Sequence, residues 1–268
     1  MKNTLTFLFL ITIISACETS GNFPIGNYQS FIGDKSVDSE IGFNPAEVFD
    51  NSEVAPATLK INFATIKQYP CFNYDLLTTV TSQQDELIIR FDDVEIGPVC
   101  LTAIGPARTS VMLPEKTKYL VLINGTDIDE YEIDITEQEI NLIPQSTSFS
   151  QLNYTKIFRY PKDSFALMCG TNIDNTHLCG DFYNILADSV DISEFEFHGD
   201  GKIPYPDSTS GNWRNNASLF FTYSSFEEYI KAGNLLENFS INNLTPNDGV
   251  SIYMSSWNNK HFRSWMFD

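Results

Sequence analysis

From residue 57 to residue 144 apolar side chains recur at every second position, and this alternation restricts the chain more than any other feature. Leu59, Ile61 and Phe63 form one such trio, followed by Phe72, Tyr74 and Leu76, and by Leu87, Ile89 and Phe91. Thr109, Val111 and Leu113, then Tyr119, Val121 and Ile123, then Tyr131, Ile133 and Ile135 continue it. A β-strand places residues i and i+2 on one face, so each trio predicts a strand with one buried side. Lys60, Asn62, Arg90, Asp92, Glu132 and Asp134 then face water. Stretches such as "TSQQDE", "EIGPVC", "LPEKTK" and "NGTD" separate the runs. About six or seven short strands at roughly ten-residue spacing predict an antiparallel β-sandwich over residues 51–145. Asn124-Gly125 marks a turn between two of them, in a loop longer than the two-residue hairpin. Leu120 and Leu122 break the alternation by being apolar on the outward face, which predicts a central strand covered by the C-terminal domain, the alternative being an interaction patch.

After "PQSTSFSQLN" the composition changes. Residues 146–268 hold all three Trp and all three His, in a mixed pattern. Strands are expected around 156–160, 194–198 and 218–223, followed by a helix in "SSFEEYIKAGN". Ser225 with Glu228 three positions later reads as a capping box, and Gly233 is placed to end the helix in the left-handed region. The fold class expected is therefore mainly β: an N-terminal antiparallel sandwich followed by a C-terminal α+β domain. Residues 17–50, rich in Gly, Ser, Asn and Asp, read as a spacer.

The formal net charge is −19 and the few basic residues are scattered, which argues against nucleic acid as a partner. Apolar residues at 42% and aromatics at 13% are sufficient for real cores and exclude a disordered chain. Apart from Cys17, an even number of cysteines remains: Cys71, Cys100, Cys169 and Cys179. In an exported chain these read as disulfides. Cys71 with Cys100 and Cys169 with Cys179 is the pairing that keeps each bridge inside one expected domain.

Export itself is read from the first residues. Lys2 precedes an apolar run from Leu5 to Ile14 that is too short to cross a membrane and ends in small residues, the pattern of a secretory signal over residues 1–16. Ile14, Ser15, Ala16 and Cys17, "ISAC", resemble the lipobox of bacterial lipoproteins. That resemblance implies that Cys17 becomes the first residue of the mature chain and carries a diacylglyceryl thioether, usually with an N-acyl chain such as palmitate. Two or three chains anchor firmly where one does so only marginally. Glu18 stands where Asp would signal inner-membrane retention, so the family pattern implies the outer membrane, facing the periplasm or the surface. The strand-patterned region 51–145, in which "YPCFNY" and "GPVCLTAIGPA" frame the two cysteines without a Trp between them, loosely resembles in architecture the immunoglobulin-like sandwich modules of bacterial envelope proteins.

Chemistry is sparse. His177, His198 and His261 are isolated, no Ser sits in a GxSxG turn, and neither HExxH nor HxH occurs, so no catalytic, metal or cofactor site is assigned. Asp174, Asp181, Asp200 and Asp207 lie in loop-like segments but do not match the calcium-loop pattern. "GNWRNN" and "SSWNNKHFRSWMF" join Trp213, Trp257 and Trp265 to Arg214 and Arg263, a mixture suited to stacking on sugar rings or pressing into a protein. The expectation is a membrane-anchored binding or accessory module that recognises an envelope protein or glycan through its C-terminal domain. The alternative is a carbohydrate-active or other hydrolase using a carboxylate pair there.

Overall fold

A computed structural model describes residues 27–100, 103–206, 214–245 and 248–266. The chain divides into a unit Met1–Ser30, of which Tyr28–Ser30 form one 3-10 turn, and a unit Phe31–Asp268 that carries everything below. Cys17 lies outside the described residues.

Ten strands build the first sheet: β1 (Ile41–Val48), β2 (Thr58–Tyr69), β3 (Tyr74–Gln83), β4 (Glu86–Ile96), β5 (Gly105–Met112), β6 (Tyr119–Asn124), β7 (Asp127–Ile135), β8 (Glu139–Ser146), β9 (Ser150–Leu152) and β10 (Lys156–Phe158). The mainly β class holds. The sheet is one hydrogen-bonded path, β10-β8-β7-β6-β4-β3-β5-β2-β1-β9, where an immunoglobulin-like sandwich has two separate antiparallel sheets. Three of its pairs are parallel, β4 with β6, β3 with β5 and β1 with β9. Its inner face closes on itself: Phe43 of β1 meets Phe63 of β2 at 5.6 Å and the edge of Tyr131 of β7 at 5.0 Å.

A buried carboxylate fixes that closure. Asp129 of β7 is 0% exposed and accepts hydrogen bonds from the backbone N–H of Ser148 (2.6 Å), Phe149 (3.1 Å) and Ser150 (2.7 Å). The hydroxyls of Ser148 and Ser150 donate to it as well. A buried charge persists only when its hydrogen-bonding capacity is filled, and here the donors are the residues that carry the chain into β9, beside β1.

The expected boundaries shift. Ile41–Val48, placed in the spacer, is a core strand, and β9 and β10 extend the first sheet to Phe158 beyond residue 145. Leu120 and Leu122 face the inner core, while Val121 and Ile123 point the other way and are equally buried. The segment beginning at Phe31 crosses that outer face: the Phe31 carbonyl accepts from Arg90, the Gly33 N–H donates to the Gly125 carbonyl, and the Val37 N–H donates to Asn124 Oδ1. A strand buried on both sides loses its alternation, so the facing could not be read from period alone. The β6–β7 turn is tighter than expected, with Asn124 paired to Asp127 and Gly125 at φ 66°, the conformation a two-residue hairpin asks of glycine.

The second sheet contains β11 (Ser164–Thr171), β12 (Ile192–Phe195), the two-residue β13 (Arg214–Asn215), β14 (Leu219–Tyr223), β15 (Ser251–Ser256) and β16 (His261–Arg263). Its main path runs β12-β14-β11-β15-β16, with β13 beside β11. Helices α1 (His177–Ser189) and α2 (Phe226–Asn243) cover one face, packing Phe182, Leu186, Tyr229 and Leu236 onto Phe165, Leu167, Ile252 and Met254. The other face carries Ala166 and Met168 under Tyr205, with Tyr160, Phe197, Phe220 and Tyr253 around them. Both disulfides form in the expected pairing; Cys71–Cys100 joins the β2–β3 and β4–β5 connections, and Cys169–Cys179 ties β11 to α1.

Helix α2 corrects two expectations. Ser225 is the N-cap, but its side chain makes no cap bond to the helix backbone, and Glu228 instead accepts from the Asp191 N–H at 2.9 Å. Gly233 does not end the helix; it lies buried inside it, where an added Cβ would come within 2.3 Å of the Phe262 ring of β16. Close approach to the sheet, and no left-handed turn, is what requires glycine there. Alanine favours a helix over glycine by about 1 kcal/mol. Gly233→Ala is nonetheless expected to lower stability in denaturant unfolding by about 1–3 kcal/mol through overpacking against Phe262; a gain in stability would contradict this packing.

Candidate functional site

Where the first sheet passes into the second, the chain 156–160 is held from both sides. The Arg159 N–H donates to the Gln138 carbonyl at 2.8 Å, and its guanidinium donates to Glu47 Oε1 (2.9 Å), Glu115 Oε1 (3.0 Å) and the Thr136 carbonyl (2.9 Å). Glu47 Oε2 accepts the Tyr160 N–H at 2.6 Å. Burial opposes the Arg159 charge, and the Glu47 and Glu115 carboxylates outweigh it, so its pKa is raised. Burial pushes the neighbouring Tyr160 phenol up to about 12, with the Glu47 charge adding to it. From the far side the segment after β12 returns along β10: the Phe158 N–H donates to the Lys202 carbonyl at 2.9 Å and the Lys202 N–H to the Lys156 carbonyl at 3.0 Å. Gly201 permits this approach, since a Cβ there would lie 2.8 Å from the Phe158 ring.

These constraints leave a cleft of about 330 Å³ between the sheets. Its apolar wall is Phe158, Pro161, Phe195 and Phe197. The rings are locked together, Phe197 at 5.0 Å from Phe158, 5.3 Å from Phe195 and 5.0 Å from Phe220. The rim carries Glu137, Glu139, Glu196 and His198. Glu139 is occupied by Asn141 (2.9 Å) and Lys156 (3.0 Å), which hold it below the ordinary carboxylate value. Glu137 and Glu196 have no ion-pair partner among the described residues. An aromatic wall under uncommitted carboxylates attracts a cation twice, through the ring quadrupole and through the charge.

Of the expected tryptophan site, only part falls on described residues. Trp213 lies outside the described residues, and Arg214 stands exposed on β13. Trp257 is half-buried against the helix-side core and donates its indole N–H to the Tyr223 hydroxyl at 2.8 Å. Trp265, 50% exposed, lies 6.3 Å from the Tyr253 ring, over which Arg263 sits at 5.3 Å. Tyr253 belongs to the face of the second sheet opposite the helix-side core.

Other candidates also separate. His177 is the first residue of α1, and His198 lines the cleft. His261 bridges the Tyr253 hydroxyl (2.9 Å) and Asn259 (3.0 Å), and its pKa is lowered by burial and then by Arg263 and Lys260. Asp207 lies outside the described residues, and no group of three or more His, Cys, Asp or Glu able to hold a metal occurs among those described. Glu130, whose pKa is raised by burial and the nearby Glu86 charge, sits on β7 and not in the C-terminal part where a catalytic pair was expected. In "EFEFHGDGK" the alternation of Phe195 and Phe197 with Glu194 and Glu196 is the sequence signal for the cleft rings. No family model, curated protein or solved structure matches the chain.

Proposed function

We propose that the protein is an exported, lipid-anchored binding module of the bacterial outer membrane, and that its partner enters the cleft between the two sheets. The observation that carries the reading is the wall of Phe158, Phe195 and Phe197 beneath Glu137 and Glu196. Such a surface suits a protein segment presenting Lys or Arg better than a neutral glycan, because a sugar would leave the carboxylate charges uncompensated. Binding is the whole of the activity proposed. Export is supported by the two disulfides, which belong to oxidising compartments. The lipid anchor rests on the lipobox-like "ISAC" at Ile14–Cys17.

Calorimetric titration with oligolysine, oligoarginine and a neutral oligosaccharide tests the cleft. Cationic peptide is expected to bind and to weaken with salt, and Glu137→Gln with Glu196→Gln to lose about tenfold in affinity. Failure of both peptides to bind, or equal binding by the double variant, would overturn the assignment. The anchor is tested separately by mass spectrometry of the protein from native envelopes. A chain beginning at an acylated Cys17 is expected, and an unmodified thiol there would refute it.

A further inference from the structure

Strand β12 ends the path of the second sheet, and among the described strands it pairs with β14 alone. The bonds around β14 show which way the β12 backbone faces. The Tyr223 N–H donates to the Asp163 carbonyl, on the β11 side, at 2.9 Å, and the next N–H, that of Ser224, donates to the Asp191 carbonyl at 3.3 Å. Successive residues of a strand turn their backbone groups to opposite neighbours, so Ser193 and Phe195 bond β14 while Ile192 and Glu194 turn theirs outward. The Ile192 N–H is taken up locally by the Val190 carbonyl at 3.0 Å, which leaves the Ile192 carbonyl and both backbone groups of Glu194. Among the described residues no other strand or loop is hydrogen-bonded along this side. The edge strand of the first sheet, β10, is different, because the return of 199–202 covers it.

An open edge of this kind accepts a strand from another chain, and charge selects which one. From Asp163 to Gly201 the chain contains no Lys or Arg, while Asp188, Asp191, Glu194 and Glu196 follow one another from the end of α1 to the residue after β12. Glu194 has the Tyr183 hydroxyl at 3.4 Å and no ion-pair partner among the described residues. A second copy of the chain would set like charges against each other across the new pair, which is destabilising, whereas a segment bearing Lys or Arg sets opposite ones there. The edge also leads directly into the cleft, since Phe195 of β12 and Phe197 two residues on are both in its wall.

We propose that the cationic partner segment binds in extended form, as a strand added to β12. Its backbone bonds Glu194 and the Ile192 carbonyl, and every second side chain lies on the Phe195 side and carries its charge toward Glu196. This rests on the reading of the cleft as a site for a basic segment, and adds the conformation in which that segment is held.

Hexalysine and hexaarginine, each with free backbone amides and with alternate amides N-methylated, are titrated calorimetrically into the protein carrying both disulfides. N-methylation keeps every charge and removes strand pairing, so it is expected to cost about tenfold or more in affinity. Hydrogen exchange at the Glu194 amide is expected to slow when the unmodified peptide is bound. Glu194→Pro, which removes the outward N–H, is expected to bind about tenfold more weakly than Glu194→Gln, which removes only the charge. Equal affinity of the free and methylated peptides, with exchange at Glu194 unchanged, would overturn strand addition and leave the cleft reading standing. Failure of both unmodified peptides to bind would overturn the two together. A dimer in solution that Glu194→Pro dissolves would place a second copy on the edge, and would also overturn the proposal.

Discussion

Arg159 is the point on which the two sheets depend. It follows the last strand of the first sheet, and its three guanidinium nitrogens reach β1 through Glu47, the β5–β6 connection through Glu115, and the β7–β8 turn through the Thr136 carbonyl. With side-chain exposures of 16% and 8%, the Arg159–Glu47 pair is withdrawn from water, where losing one partner strands the other at a cost of about 3–5 kcal/mol. Glu47 extends the constraint by accepting the Tyr160 N–H, so the first residue on the way to β11 is fixed by the same carboxylate. The acids and ring that bound the cleft, Glu137, Glu139 and Phe158, lie within two strands' ends of this guanidinium. Their positions relative to Phe195 and Phe197 are set by the return of 199–202 along β10.

Legibility in the sequence followed solvent contact. Strands with one wet face, such as β2 with Leu59, Ile61 and Phe63 inside, announced themselves through alternation. Strands covered on both sides did not: β11, "SFALMCGT", is buried throughout and has no period to detect. Helix α1 was hidden by Gly180 and by a first turn without a side-chain cap, though Cys179, Phe182 and Leu186 keep helical spacing. The disulfide pairing was readable because each bridge closes within one sheet's region. Gly233 misled because glycine has two uses near helices, the left-handed terminus and the close approach, and only the position of Phe262 distinguishes them. The cleft was the least legible feature, since Glu137 and Phe197 are brought together by the return of 199–202 along β10, a contact without local signature.

The cleft sits where Arg159 and Glu47 fix the passage from the first sheet to the second. The cleft combines locked rings with Glu139, paired to Lys156, and with Glu137 and Glu196, which have no ion-pair partner among the described residues.

The frame itself is tested most directly by unfolding the protein and its Arg159→Met variant in denaturant with two probes. Trp257 packs on the helix-side core of the second sheet, so tryptophan fluorescence reports that sheet, while NMR amide signals of β2 and β4 report the first. Coincident transitions are expected for the parent and separated transitions for the variant. Separated transitions in the parent, or an unchanged single transition in Arg159→Met, would contradict the account.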